Sequence, residues 1–122
     1  MAIQNSPDIR VCRWHRAVYA RVLGPINLET VPFFQSQLEG VCSEHGITLT
    51  LDLGAADYVD SDGIRWLRRL RDGLVGRGVE LGLAVRQGSR VERTLRLVEM
   101  DLTFRIERYP NDVAPPALLT GS

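Results

Sequence analysis

The sequence predicts a single α/β domain in which a mixed sheet of about five strands carries its helices mainly on one face. Three observations lead there. Ile47, Leu49, Leu51 and Leu53 alternate with Thr48, Thr50 and Asp52, and Val79, Leu81, Leu83 and Val85 alternate with Glu80, Gly82 and Ala84. Both runs have the period of a strand with one covered and one wetter face. Between them Ile64, Leu67, Leu70, Leu74 and Val75 recur at helical spacing within residues 61–76, so strand, helix and strand form a crossover. At 122 residues and 44% hydrophobic content, the chain has material for one core and no second domain.

The remaining elements follow in order. Residues 1–8 read as an N-terminal tail, 9–109 as the domain, and 110–122 as a loosely held tail or a short helix limited by Pro115 and Pro116. Residues 9–15 and 18–23 are rich in β-branched and aromatic side chains and break near Arg16 and Ala17, the pattern of an opening hairpin. From Thr30 the period changes. Val31, Phe34, Leu38, Val41 and Cys42 share one helical stripe, Pro32 fits a first turn, and Gly46 suits the stop. A third helix opens at Ser89 with Glu92 three residues on, a capping box, and its apolar stripe is Val91, Leu95 and Val98. Residues 104–108 supply a short fifth strand.

Composition excludes several classes of function. Charged residues make up 25% of the chain and cancel to a net charge of +0, so no nucleic-acid surface is expected from charge. All fifteen basic residues are arginine, which makes every cationic site a planar guanidinium site. No signal peptide or membrane-length apolar run is present, and the expected location is the cytoplasm, with Cys12 and Cys42 reduced. Cys12 and His15, and again Cys42 and His45, repeat a Cys-x-x-His spacing, but three residues along a strand send Cys12 and His15 to opposite faces and Cys42 belongs to the core stripe of the first helix, so no metal and no other cofactor is expected. Neither a Gly-x-Ser-x-Gly elbow, a phosphate-binding Gly-Lys loop nor a His-Glu-x-x-His helix occurs, and the chain reads as a non-enzyme.

Chemistry concentrates at Asp60, Ser61, Asp62 and Gly63, where a strand runs into a helix. Ser61 fits the N-cap, its hydroxyl facing the free N–H groups of the first turn, and Asp62 suits the positive end of the helix dipole. Arg65, Trp66 and Arg69 fall on the side of that helix away from the leucine stripe, a composition found both at interface hot spots and on solvated arginine faces. Arg71 falls inside the apolar stripe and must snorkel or pair. Arg90, Arg93 and Arg96 line the polar side of the third helix as solvated charges.

The segment 51–70, LDLGAADYVDSDGIRWLRRL, resembles the region around the phosphorylated serine of STAS-domain anti-sigma factor antagonists, where an apolar strand precedes Asp-Ser-Ser/Thr-Gly-Leu and a helix. Leu23 to Asn27 resembles the family's Gly-x-Leu-Asp turn before the first helix, and residues 95–104 resemble its Leu-x-Leu-Thr-Gly-Leu-Asp-x-x-Phe ending. The chain departs from the pattern at Asp62, where a second Ser or Thr is usual, at Asn27 in place of Asp, at Glu99 in place of Gly, and in the crowding of Arg65, Trp66, Arg68 and Arg69 after the glycine.

The resemblance implies a STAS-type fold and a protein-binding role in partner switching. Ser61 would be the phosphorylation site, and Asn27, Asp60, Asp62, Gly63, Arg65, Trp66 and Arg69 would form the docking surface. The implied partners are a serine kinase of the anti-sigma type and a PP2C-type phosphatase, with no direct membrane insertion and a homodimer left open. The competing reading is a non-switching STAS scaffold subunit of a larger assembly, such as a phospholipid-transport ABC complex or a stressosome-like body.

Overall fold

The computed structural model describes residues 6–110. In chain order the elements are β1 (Asp8–Trp14), β2 (Ala17–Ile26), α1 (Val31–Cys42), β3 (Thr48–Val59), α2 (Ser61–Val75), β4 (Glu80–Arg86), α3 (Arg90–Leu97), a short 3-10 turn (Met100–Leu102) and β5 (Arg105–Tyr109). The expected tails at 1–8 and 110–122 lie almost wholly outside the described residues, although β1 begins at Asp8. The five strands are ordered β1-β2-β3-β4-β5, with β1 and β2 antiparallel and every other pair parallel, so the sheet is mixed as expected.

The hairpin turns at His15, which takes the left-handed conformation at φ 57°. The parallel pairs demand crossovers, and each of α1, α2 and α3 supplies one. Leu49, Leu51 and Leu53 of β3 and Leu81, Leu83 and Val85 of β4 meet Phe34 and Leu38 of α1, Leu67 and Leu74 of α2, and Val91 and Leu95 of α3 in one core. Two stripe residues do not join it. Val75 is 66% exposed because α2 turns its buried arc toward Trp66, and Val98 is 36% exposed because it is the cap residue beyond the last helical residue of α3.

The opposite face of the sheet is polar but not wet at its centre. Asp52 is 0% exposed, Thr50 and Tyr109 are also buried, and the Asp52 Oδ1 atom accepts hydrogen bonds from the Tyr109 hydroxyl at 2.8 Å and the Gly54 N–H at 2.8 Å. Burial, reinforced by the Asp52 carboxylate, raises the hydroxyls of Tyr19 and Tyr109 well above the ordinary tyrosine value, so both stay protonated. Arg86 lies over the Tyr109 ring, 5.1 Å from its centroid. The period-two pattern finds this face, but not the dry carboxylate at its middle.

The capping box of α3 forms only in half. The Ser89 hydroxyl accepts from the Glu92 N–H at 3.1 Å, whereas the Glu92 carboxylate takes the Gly88 N–H at 2.6 Å instead of that of Ser89. Glu92 is also paired with Arg96 at 2.8 Å and with Arg108 of β5. The helix start is thereby tied to the edge strand.

Candidate functional site

The strand-to-helix turn after β3 is held by its own backbone. Asp60 is extended, with φ −98° and ψ −171°, and its side chain accepts the Gly63 N–H at 3.0 Å. The Asp60 N–H donates to the Ile26 carbonyl at 3.2 Å, which joins the ends of β2 and β3 at the helix entrance. Asp60, not Ser61, is therefore the N-cap. The expectation for Ser61 is corrected by one position, since the extended residue just before the helix owns the cap. Ser61 is the first helical residue, exposed, and its hydroxyl makes no hydrogen bond among the described residues.

Gly63 is buried because nothing larger fits. A Cβ there would stand 2.6 Å from the Ile26 carbonyl oxygen and 2.8 Å from Val59 Cγ1. We expect Gly63→Ala to cost about 1–3 kcal/mol of stability, since the Ile26 carbonyl and the Val59 side chain are backbone and core that cannot swing aside. Urea unfolding measures it, and a variant as stable as the parent would show that the turn has room to spare.

Asn27 closes the neighbouring turn. Its Oδ1 accepts the N–H groups of Glu29 at 2.9 Å and Thr30 at 3.0 Å, and its Nδ2 donates to the Tyr58 hydroxyl at 2.9 Å. The Arg90 guanidinium sits 5.3 Å from the centroid of the Tyr58 ring. Arg90 is thus part of the site's border and not merely a solvated charge. Neither Tyr58 nor Arg90 stood out in the sequence, where an alternating strand residue and one arginine among three gave no distinguishing pattern.

On α2 the arginines divide. Arg65 donates to Asp62 Oδ1 at 2.7 Å and Arg68 donates to the Val98 carbonyl at 3.2 Å. Ser61, Ile64, Arg65, Arg68 and Val98 line one cavity of about 290 Å3. Arg69 lies elsewhere, on the rim of a groove of about 430 Å3 between α1 and α2 that also includes Pro32, Gln35, Trp66 and Arg77. Arg71, which had to pair, donates to the Thr103 carbonyl at 3.0 Å and to Asp72, and lies over the Phe104 ring.

Trp66 does not belong to the exposed surface. It is 2% exposed, its indole N–H donates to Gln35 at 2.8 Å, and its ring stacks on Phe34 with centroids 6.1 Å apart. The expectation of an outward Trp-Arg face is corrected for the tryptophan, because α2 packs on α1 as well as on the sheet. The structure gathers Asn27, Asp60, Ser61, Asp62, Gly63 and Arg65 around two adjoining turns, and leaves Trp66 and Arg69 at the helix-helix contact.

Apolar side chains sit close by in sequence and on the surface: Leu28 follows Asn27, and Leu97 precedes Val98, with Leu97 84% exposed. Among the described residues no three His, Cys, Asp or Glu side chains come together as a metal site, and no helix is long and apolar enough to cross a membrane.

Solved structures share this architecture. The crystal structure of an anti-sigma factor antagonist from Mycobacterium paratuberculosis superposes with a TM-score of 0.76 at 21% identity, covering 99% of this chain and 98% of that one. A putative anti-sigma factor antagonist from Thermotoga maritima gives 0.62 at 16% identity, with 93% of each chain covered. In sequence, the chain is 26% identical over 106 residues to the anti-sigma-F factor antagonist RsfB of Mycobacterium tuberculosis, spanning 87% of this chain and 85% of that protein. The family model of the STAS domain matches residues 8–112, the whole described sheet and all three helices, and the chain belongs to the STAS domain family.

Proposed function

We propose that this chain is an anti-sigma factor antagonist-like binding domain in a partner-switching pathway, controlled by phosphorylation of Ser61. The observation that carries the reading is the free hydroxyl. Asp60 already caps α2, so the exposed Ser61 hydroxyl has no structural task among the described residues. A serine kinase of the anti-sigma type binds the unmodified turn and supplies the phosphoryl group from its ATP. The Ser61 Oγ–P bond forms, the terminal phosphoanhydride bond breaks, and ADP and the hydroxyl proton leave. A PP2C-type phosphatase restores the hydroxyl with water. The chain is ligand and substrate in this cycle, not catalyst.

The partner surface comprises Asn27, Asp60, Asp62 and Arg65 around Ser61, bordered by the exposed Leu28 and Leu97. The likeness to RsfB, a protein named for antagonising an anti-sigma factor, supports this reading. Because the cap is Asp60, Ser61→Ala is expected to change stability by no more than about 0.5 kcal/mol, as ordinary surface substitutions do. The variant should still capture the kinase from a lysate of the native cell, and it should take up no phosphate from kinase and ATP. Continued phosphorylation of Ser61→Ala, or equal capture of phosphorylated and unmodified chains, would remove Ser61 from the switch.

The scaffold alternative draws on Asp62, a permanent carboxylate beside Ser61 that reduces the contrast between the two states. Recovery of transporter or stressosome-like subunits, with no kinase, in the same capture experiment would favour it.

A further inference from the structure

Resting on the phosphorylation of Ser61 proposed above, we infer that Arg65 and Arg68 hold the phosphoryl group on Ser61 within the same chain, so that the cavity at the start of α2 is a phosphoryl-binding site. Ser61, Arg65 and Arg68 stand at i, i+4 and i+7 on α2, one stripe of the helix, and all three line the same cavity. Side chains on a helix lean toward its N-terminus, so both guanidinium arms extend from their own positions in the direction of Ser61.

Their present ties are easily exchanged. Arg65 is held by Asp62 in an ion pair whose side chains are 60% and 32% exposed, and such pairs are weak in water. Arg68 uses one N–H on the Val98 carbonyl, and its fork has further donors to offer. A phosphoserine brings about −1.5 to −2 charges and three acceptor oxygens, and guanidinium groups grip such an anion by paired hydrogen bonds. Free N–H groups of the first helical turn add to the same attraction.

Opposing charges are close at hand. Asp60 is occupied with the Gly63 N–H, and Asp62 is the carboxylate that Arg65 would leave. On the other side Arg90 lies over Tyr58. Phosphorylation would therefore do two things to a docking partner: it would add the phosphoryl charge and withdraw two guanidinium groups from the surface while releasing Asp62. A Ser61→Asp substitution has a shorter reach and half the charge, so it reproduces the second effect poorly.

The test uses the full chain with phosphoserine installed at position 61 during synthesis, followed by phosphorus NMR through a pH titration. The second ionisation of the phosphoserine should lie below its ordinary value of about 6. In the Arg65→Ala/Arg68→Ala double variant it should return upward by about half a unit or more, with Arg68→Ala alone giving part of the shift. Both arginines are exposed, so thermal melts should show the variants folded. Identical titration curves in parent and double variant would overturn the inference, since the helix end alone would then account for any depression. Kinase capture by the same phosphorylated chain is read separately. Capture equal to that of the unmodified chain sinks the switch and leaves the arginine result standing, whereas lost capture with arginine-insensitive titration does the reverse.

Discussion

Trp66→Ala should destabilise the domain by about 3–5 kcal/mol, the usual cost of removing a fully buried aromatic side chain. Its indole fills the contact between α1 and α2, stacked on Phe34 and tied to Gln35, so truncation leaves a cavity and strips Phe34 of its neighbour. A loss of that size is a large part of the 5–15 kcal/mol or so that holds a typical domain together. Urea unfolding at neutral pH measures it, and Trp66→Phe should recover most of the loss by keeping the ring. Emission provides an independent check, since the other tryptophan, Trp14, is 71% exposed. Trp66→Phe should leave only the red-shifted spectrum of a hydrated indole. A stability change below about 1 kcal/mol for Trp66→Ala would place the side chain on the surface after all.

Glu92→Ala should cost about 3 kcal/mol, the low end for breaking a buried ion pair, because the side chains of Arg96 and Arg108 are 59% and 36% exposed and can be hydrated once abandoned. The acid dependence has a defined sign. The Gly88 N–H, helped by hydrogen bonds from Arg108 and Arg96 and opposed by burial, holds the Glu92 carboxyl below the ordinary glutamate value. The folded state thus binds this proton more weakly than the unfolded chain. Its stabilisation is fully present above the unfolded value of about 4.3 and is lost as pH falls through the lower folded value. Melts from pH 7 to pH 3 should show the parent losing stability more steeply than Glu92→Gln below about pH 4.3. Parallel curves would mean that Glu92 titrates alike in both states.

Much of the fold was legible because alternation and helical spacing are set by burial on one side of an element. Leu49, Leu51 and Leu53 face the core for that reason, and so do Leu67 and Leu74. The errors share a physical cause. Taking Val75 into the α2 stripe and Trp66 out of it treats the helix as packed on the sheet alone, but contact with α1 rotates the buried arc toward Trp66 and away from Val75. The serine at the candidate site was legible from its place between strand and helix, and its family resemblance added the neighbours Asn27 and Asp62. The identity of the cap was not, because Asp60 and Ser61 are both good caps and only the backbone conformation chooses between them. Tyr58, Arg90 and Val98 were hidden for a different reason: they come from separate elements, and their meeting depends on sheet order and on where α3 ends.

The order of strands across the sheet is also the order in which the ribosome makes them. Each new strand of a nascent chain can therefore be added to the free edge of what already exists, and none has to be threaded between two others. Asp52 gives this growth a definite finish. It lies in β3, while the hydroxyl that caps its carboxylate reaches over β4 from Tyr109 at the end of β5. Until β5 has been synthesised and docked, the polar middle of the sheet lacks this partner and stays open to water. The final strand therefore both dries and pairs the carboxylate, and chains released before Tyr109 leave that strip unsealed.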